Sequence, residues 1–81
     1  MLVRTSDGLV DVSKATDVWP KKDRWWHAER MYKLPSGYFR HVKREHAYGG
    51  TSCWFDSREA IHWFFDQGLP IPTDLERCIK F

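Results

Sequence analysis

The chain is poor in cysteine and has no long apolar run. Cys53 and Cys78 are the only two cysteines in 81 residues, whereas small secreted scaffolds usually carry four or more. We therefore expect both thiols to be reduced, as in a cytosol. No segment approaches the about 18–20 apolar residues of a membrane span, and the N-terminus lacks the apolar segment of a signal peptide. The sequence predicts a cytoplasmic protein with no membrane association.

Metal-binding and catalytic spacings are also missing. His41 and His46 have the shortest spacing, but five residues along a strand place them on opposite faces. Cys53 with His62 or His41 could form a nucleophile and its base, yet a buried thiol and surface imidazoles explain these residues as well. We expect no metal, no cofactor and no enzymatic activity.

Aromatic residues, by contrast, are abundant. Five Trp, five Phe and three Tyr make up 16% of the chain, and each buried aromatic side chain removes about 150–250 Å² from water. This offsets the small size of the chain, which is near the lower limit for a single apolar core. Thirteen aromatics exceed what so small a core hides, so some should lie at a contact surface. The composition favours one domain over residues 1–81 that binds a partner.

Turn residues divide the first two thirds of the chain into strands. Gly8 favours a hairpin of residues 2–4 with 9–12, and Leu34-Pro35-Ser36-Gly37 is the clearest turn signal. The segments before and after this turn are predicted strands, the second over residues 38–46, and a third follows at 51–55. Residues 14–24 contain Pro20 and a charge cluster, which indicates a connecting loop whose Trp19 either packs on the core or faces solvent.

Capping signals define the helices. Asp56 with Glu59 forms a capping box, and Gly68 with Pro70 is a stop signal, which predicts a helix over residues 57–67. Thr73 with Glu76 repeats the box spacing and predicts a short C-terminal helix over residues 74–79. The chain is therefore expected to be α+β, with an antiparallel sheet of three to five strands and one helix packed on it.

Helical periodicity divides the predicted 57–67 helix into faces. Its apolar stripe comprises Ala60, Ile61, Phe64, Phe65 and Gly68. His62 and Trp63 fall on the flanks of this stripe. Trp63 is therefore a candidate exposed anchor for a partner.

Positive charge is concentrated in the middle of the chain. Residues 21–46 hold eight Lys and Arg against three acidic residues, although the whole chain has a net charge of only +2. The 38–46 strand alternates without a clean apolar face, which suits one face over the helix and a second, solvated face that is basic. The predicted contact residues are Arg40, Lys43, Arg44, His62 and Trp63, with Trp25 and Trp26 as further candidates.

Such a surface has two functional interpretations. Arg, Trp and Tyr dominate protein–protein hot spots, which favours a partner protein. Alternatively, the cations could neutralise phosphates while Tyr38, Phe39 or Trp26 stacks on the bases of a single-stranded nucleic acid. The low net charge and the lack of an RNA-recognition-motif signature disfavour that second interpretation. The remaining alternative is a solvated sheet face that binds no partner.

Two stretches resemble known small proteins. Residues 31–37, a basic aromatic strand and Ser57-Arg58-Glu59-Ala60-Ile61, with Trp63-Phe64 before Gly68, resemble a pattern common in small phage and plasmid reading frames. The stretch Phe55-Asp56-Ser57 with Glu59, Ile61, Phe65 and Gly68-Leu69-Pro70 is similar to the strand-to-helix segment of a type I-F anti-CRISPR. That family comprises small α+β inhibitors that bind a CRISPR surveillance complex. The resemblance implies a stoichiometric modulator of a host protein or ribonucleoprotein complex.

Overall fold

The computed structural model describes residues 1–5, 8–44 and 51–79, and these contain six strands and two α-helices. The strands are β1 (Leu2–Thr5), β2 (Gly8–Asp11), β3 (Asp17–Trp19), β4 (Glu29–Leu34), β5 (Gly37–Val42) and β6 (Cys53–Phe55). The helices are α1 (Ser57–Asp66) and α2 (Thr73–Glu76), and a 3-10 helix spans Val12–Lys14. β1 and β2 form a separate hairpin, while β3, β4, β5 and β6 form one antiparallel sheet in that order. The predicted α+β class is confirmed.

The two predicted hairpin connections contain glycines with positive φ. Leu34 pairs with Gly37 across the β4–β5 turn, where Gly37 has a φ of 137°. Gly8 likewise has a φ of 134° at the start of β2. L-amino acids with a Cβ rarely adopt such angles, so glycine favours both connections. The predicted hairpins are confirmed, except that Val12 belongs to the 3-10 helix rather than to β2.

Residues 14–24 are not wholly a loop, contrary to the prediction. They include β3, an edge strand that pairs Val18 with Tyr32 and Trp19 with Met31. Trp19 packs on the core, with its ring edge-on to Phe64 at a centroid distance of 4.9 Å. Three residues are too few to show a strand periodicity, so the pairing with β4 decides their conformation.

The predicted 38–46 strand is shorter in the structure. β5 ends at Val42, and residues 43 and 44 form a turn. The remainder of that prediction, including the relation of His41 to His46, lies outside the described residues. The predicted 51–55 strand is observed in part: β6 begins at Cys53, and residues 51 and 52 lie outside it.

α1 begins and ends as its capping signals predict. The Glu59 amide donates to Oδ1 of Asp56 at 2.8 Å, and the Asp56 amide donates to Oε1 of Glu59 at 3.1 Å. Such a cap stabilises a helix by about 1 kcal/mol. The second predicted capping box is wrong: Pro72 is the N-cap of α2, which has no side-chain capping bond. α2 instead buries Leu75 against α1.

The helix-side core corrects the predicted stripe of α1. Ala60, Trp63 and Phe64 are buried against Met31 and Tyr38 of the sheet. Trp63 is only 6% exposed, so it is not an exposed anchor, whereas Phe65 is 75% exposed. Both positions lie about 100° from Phe64 around the helix, one on each side, and periodicity alone does not choose between them.

The opposite face of the sheet is covered as well. Tyr32, Leu34 and Phe39 pack with Val3 and Val12 of the N-terminal hairpin and 3-10 helix, and Phe39 is fully buried. The prediction of a solvated basic sheet face is therefore wrong. The sheet lies between the hairpin on one side and α1 on the other, so exposed contact residues must be sought at its edges and loops.

Candidate functional site

The most exposed aromatic side chain among the described residues, Trp25, and a second exposed tryptophan, Trp26, lie in the β3–β4 connection. We call residues 20–28 the tryptophan loop and its tip, residues 24–27, the tryptophan turn. Trp25 is 87% exposed and Trp26 is 57% exposed. Their rings stand perpendicular to one another with centroids 5.8 Å apart. The sequence did not settle whether this pair is core or surface; the structure places it on the surface.

Hydrogen bonds within the loop form the tryptophan turn. The His27 amide donates to the Arg24 carbonyl at 3.0 Å, which places Trp25 and Trp26 at the two central positions of a β-turn. The Arg24 amide donates in return to Nδ1 of His27 at 3.1 Å. His27 also contacts the Trp26 ring, at a centroid distance of 5.5 Å. The two tryptophans are thus presented by a closed turn.

The sheet holds the ends of the tryptophan loop. Arg30 of β4 donates from Nη2 to the carbonyls of Pro20 and Lys21, at 2.7 and 3.2 Å. Lys43 donates from Nζ to Oδ1 of Asp23 at 2.6 Å and to the carbonyl of Arg24 at 3.0 Å. This bond to Lys43 lowers the pKa of Asp23 below its usual value, although burial opposes the effect. The side chains of Arg30 and Lys43 therefore position the tryptophan loop, most of which is exposed.

The surroundings of the turn are basic. Lys21, Lys22 and Arg24 are all exposed, and the Arg24 guanidinium lies 5.9 Å from the centroid of the Trp26 ring. Arg44, also exposed, follows the anchoring residue Lys43. An exposed aromatic pair with several cations is suited to a partner that offers apolar or planar groups together with negative charge.

A groove adjoins the tryptophan turn. Its volume is about 300 Å³, and it separates the loop from the end of α1. Its lining residues are Pro20, Trp26, His27, Ala28, Glu29, Gln67 and Leu69. The groove extends the exposed surface from Trp26 toward the helix, so a partner that covers the turn would also contact α1.

The structure divides the sequence-predicted contact residues between two places. Lys43 anchors the tryptophan loop that carries Trp25 and Trp26, and Arg44 follows it. Arg40, His62 and Trp63 instead line a separate cavity of about 320 Å³ beside α1.

Arg40 is engaged within this second cavity. Its Nη2 donates to the Thr51 carbonyl at 2.9 Å, its Nη1 lies 3.8 Å from Oε2 of Glu29, and its guanidinium lies 4.8 Å from the Phe55 ring centroid. Its Nε is buried and has no hydrogen-bond partner among the described residues. Arg40 therefore joins β5 to its neighbours, and only His62 of this group is exposed.

Sequence reasoning missed the residues that position the tryptophan turn. Asp23, Arg30 and His27 were not among the predicted site residues. The only available signal was the aromatic and basic composition of residues 21–27, because their partners on β4 and β5 are distant in sequence. Contact between Lys43 and Asp23 spans 20 residues.

No metal-binding constellation is found in residues 1–5, 8–44 and 51–79: no three His, Cys, Asp or Glu side chains are placed to hold one ion. Within the same part of the chain, no helix has the length and apolar character needed to cross a membrane. Comparisons with protein-family models, with curated proteins and with solved structures gave no match.

Proposed function

We propose that this protein is a non-enzymatic binding module that engages a partner protein through the tryptophan turn. The observation that carries the proposal is the exposure of Trp25 and Trp26 at the tip of a loop held by Arg30 and Lys43. Tryptophan is among the residue types enriched at the hot spots of protein interfaces. A loop that is already ordered loses less conformational entropy on binding, which leaves more of the contact energy as affinity.

The charges around the turn define the partner. Lys21, Lys22, Arg24 and Arg44 surround or flank the aromatic pair and require an acidic rim around an apolar pocket. On the resemblance described above, this partner is a host protein or ribonucleoprotein complex that the module modulates stoichiometrically. Both cysteines are free thiols, which supports a cytoplasmic setting.

A matched pair of variants tests this proposal. Trp25→Ala removes the most exposed ring of the turn, while Phe65→Ala removes an exposed ring on α1 that lies outside the basic loop. We expect a protein captured from a bacterial lysate by the wild type and by Phe65→Ala to be lost with Trp25→Ala. Calorimetry with the purified captured protein should then show at least a tenfold weaker affinity for Trp25→Ala, since a hot-spot residue contributes about 2 kcal/mol or more.

The opposite ranking would contradict the proposal. If Phe65→Ala abolishes capture and Trp25→Ala does not, the contact lies on α1. Both variants should retain the unfolding transition of the wild type, because neither ring is part of the core.

Single-stranded nucleic acid is the second candidate partner. The Arg24 guanidinium over Trp26 and the neighbouring Lys21 and Lys22 combine a stacking ring with phosphate-binding cations. This alternative predicts binding of a labelled oligothymidine that weakens steeply between about 50 and 200 mM salt. Fluorescence anisotropy at low salt measures it, and the absence of binding there excludes it.

A further inference from the structure

The tryptophan turn contains one hydrogen bond that exists only when an imidazole nitrogen is unprotonated. The Arg24 amide donates to Nδ1 of His27 at 3.1 Å, so Nδ1 must provide a lone pair. Protonation of the ring turns both nitrogens into donors. The Arg24 N–H would then face another N–H, and one of the two contacts that close the turn would be lost.

Charged groups of both signs surround His27. Asp23 and Arg24 lie in its own loop, Glu29 and Arg30 on β4, and Lys43 immediately after β5. α1 faces the same groove with neutral Gln67. Cations outnumber acids in this set, and both acids are already engaged: Asp23 with Lys43, and Glu29 with Trp63 and Arg40. The N–H that protonation creates at Nδ1 would face the Arg24 amide, which has no lone pair to accept it.

We propose that His27 is a pH-sensitive latch of the tryptophan turn: the turn is closed when His27 is neutral and opens when the imidazole is protonated. Histidine is the side chain whose unperturbed charge change lies between about pH 5 and 8, and the test below spans that range. Trp26 rests against the same imidazole, and opening therefore changes the arrangement of both indoles. The inference that opening of the turn regulates partner binding rests on the proposed function, whereas the opening itself does not depend on it.

The test uses the free protein, so its result is independent of any partner. Amide and indole NMR spectra are recorded between pH 7.5 and 5.0 for the wild type, His27→Asn and His62→Asn. Asparagine places its Oδ1 where histidine has Nδ1 and does not titrate, so it preserves the acceptor at every pH. His62 is an exposed histidine on α1, away from the loop, and is the matched control.

We expect the Arg24 amide proton to move upfield on acidification, together with both turn indoles, in the wild type and in His62→Asn. The ratio of open to closed turn should rise about threefold to tenfold, the factor expected from the loss of one ordinary hydrogen bond. In His27→Asn these signals should stay at their neutral-pH positions. An Arg24 amide that does not titrate in the wild type, or that still titrates in His27→Asn, overturns the proposal.

Discussion

The indole N–H of Trp63 donates a 2.7 Å hydrogen bond to Oε1 of Glu29 and so joins α1 to β4. Glu29 also faces Arg40 across the sheet, at 3.8 Å. A buried tryptophan whose N–H is satisfied contributes both apolar burial and a polar bond to the core. Trp63 is therefore part of the core between α1 and the sheet, and not an exposed surface residue.

Replacement of Trp63 should accordingly destabilise the fold. Trp63→Ala is expected to lower the free energy of unfolding by about 3–5 kcal/mol, since it leaves a large cavity. Trp63→Phe keeps most of the apolar volume but removes the 2.7 Å hydrogen bond to Glu29, and should cost about 1–3 kcal/mol. Urea denaturation measures both. Phe65→Ala, on the exposed neighbouring position, should change stability by no more than about 0.5 kcal/mol; equal losses for Trp63→Ala and Phe65→Ala would refute this assignment.

Substitutions at the two ends of α1 are predicted to have different effects on stability. Asp56→Ala removes the acceptor for the Glu59 amide and should cost about 1 kcal/mol. Asp66→Ala removes a negative charge near the C-terminus of the same helix, where the macrodipole disfavours it, and should leave stability equal or slightly raised. Thermal unfolding of the two variants compares them directly. A larger loss for Asp66→Ala would contradict the observed capping geometry.

Asp74 on α2 should make stability depend on acidic pH. Burial opposes ionisation of this carboxyl, but hydrogen bonds from Tyr38 and Lys33 outweigh it, and the pKa of Asp74 lies below its ordinary value of 3.8. A folded-state pKa below the unfolded one adds stability above the unfolded value, which is lost as pH falls below about 4 through the folded pKa. Urea unfolding between pH 6 and 2 should therefore show a smaller acid-dependent loss for Asp74→Asn than for the wild type.

Tyr38→Phe is the companion variant. It removes the 2.8 Å hydrogen bonds from the phenol to both carboxylate oxygens and should reduce the same acid dependence. Burial, followed by the bond to Asp74, raises the pKa of Tyr38, so the phenol remains a donor throughout this range. An acid profile identical to the wild type in both variants would show that Asp74 does not contribute.

Lys43 should order the tryptophan loop without contacting the partner. Lys43→Met keeps the apolar stem but loses the bonds to Asp23 and to the Arg24 carbonyl. We expect lower heteronuclear NOE values over residues 21–27 and a rise in the pKa of Asp23 toward its ordinary value, measured from its carboxyl ¹³C shift. Lys22→Met, an exposed cation of the same loop, should change neither. An unaltered loop in Lys43→Met would mean that Arg30 alone is sufficient.

Local signals in the sequence predicted much of the fold. The β4–β5 turn, the β1–β2 hairpin and the capped start of α1 depend on residues within four positions of one another, and all three are confirmed. The second capping box failed although its spacing was right, because the N-cap of α2 is Pro72, which offers no side-chain acceptor. β3 was missed because its three residues become a strand only through pairing with β4.

The candidate site was less accessible to the same reasoning. Trp25 and Trp26 were named, but nothing local distinguishes a surface tryptophan from a core one. The loop that carries this pair is held by Arg30 on β4 and by Lys43 immediately after β5. Arginine is a residue type typical of contact surfaces, but the guanidinium of Arg40 instead forms an ion pair with Glu29 and a hydrogen bond to the Thr51 carbonyl.

Local residue patterns fix where this chain turns and where its main helix is capped, and the composition shows that it carries more aromatic surface than a small core can bury. Those properties depend on backbone preferences and hydrogen bonds between near neighbours. Which aromatic side chains remain exposed to solvent depends on packing between elements that are distant in the sequence. The N-terminal hairpin covers Phe39, and Glu29 accepts a hydrogen bond from the buried Trp63. Trp25 and Trp26 remain exposed. Burial depends on contacts between residues that come together only when the sheet has formed.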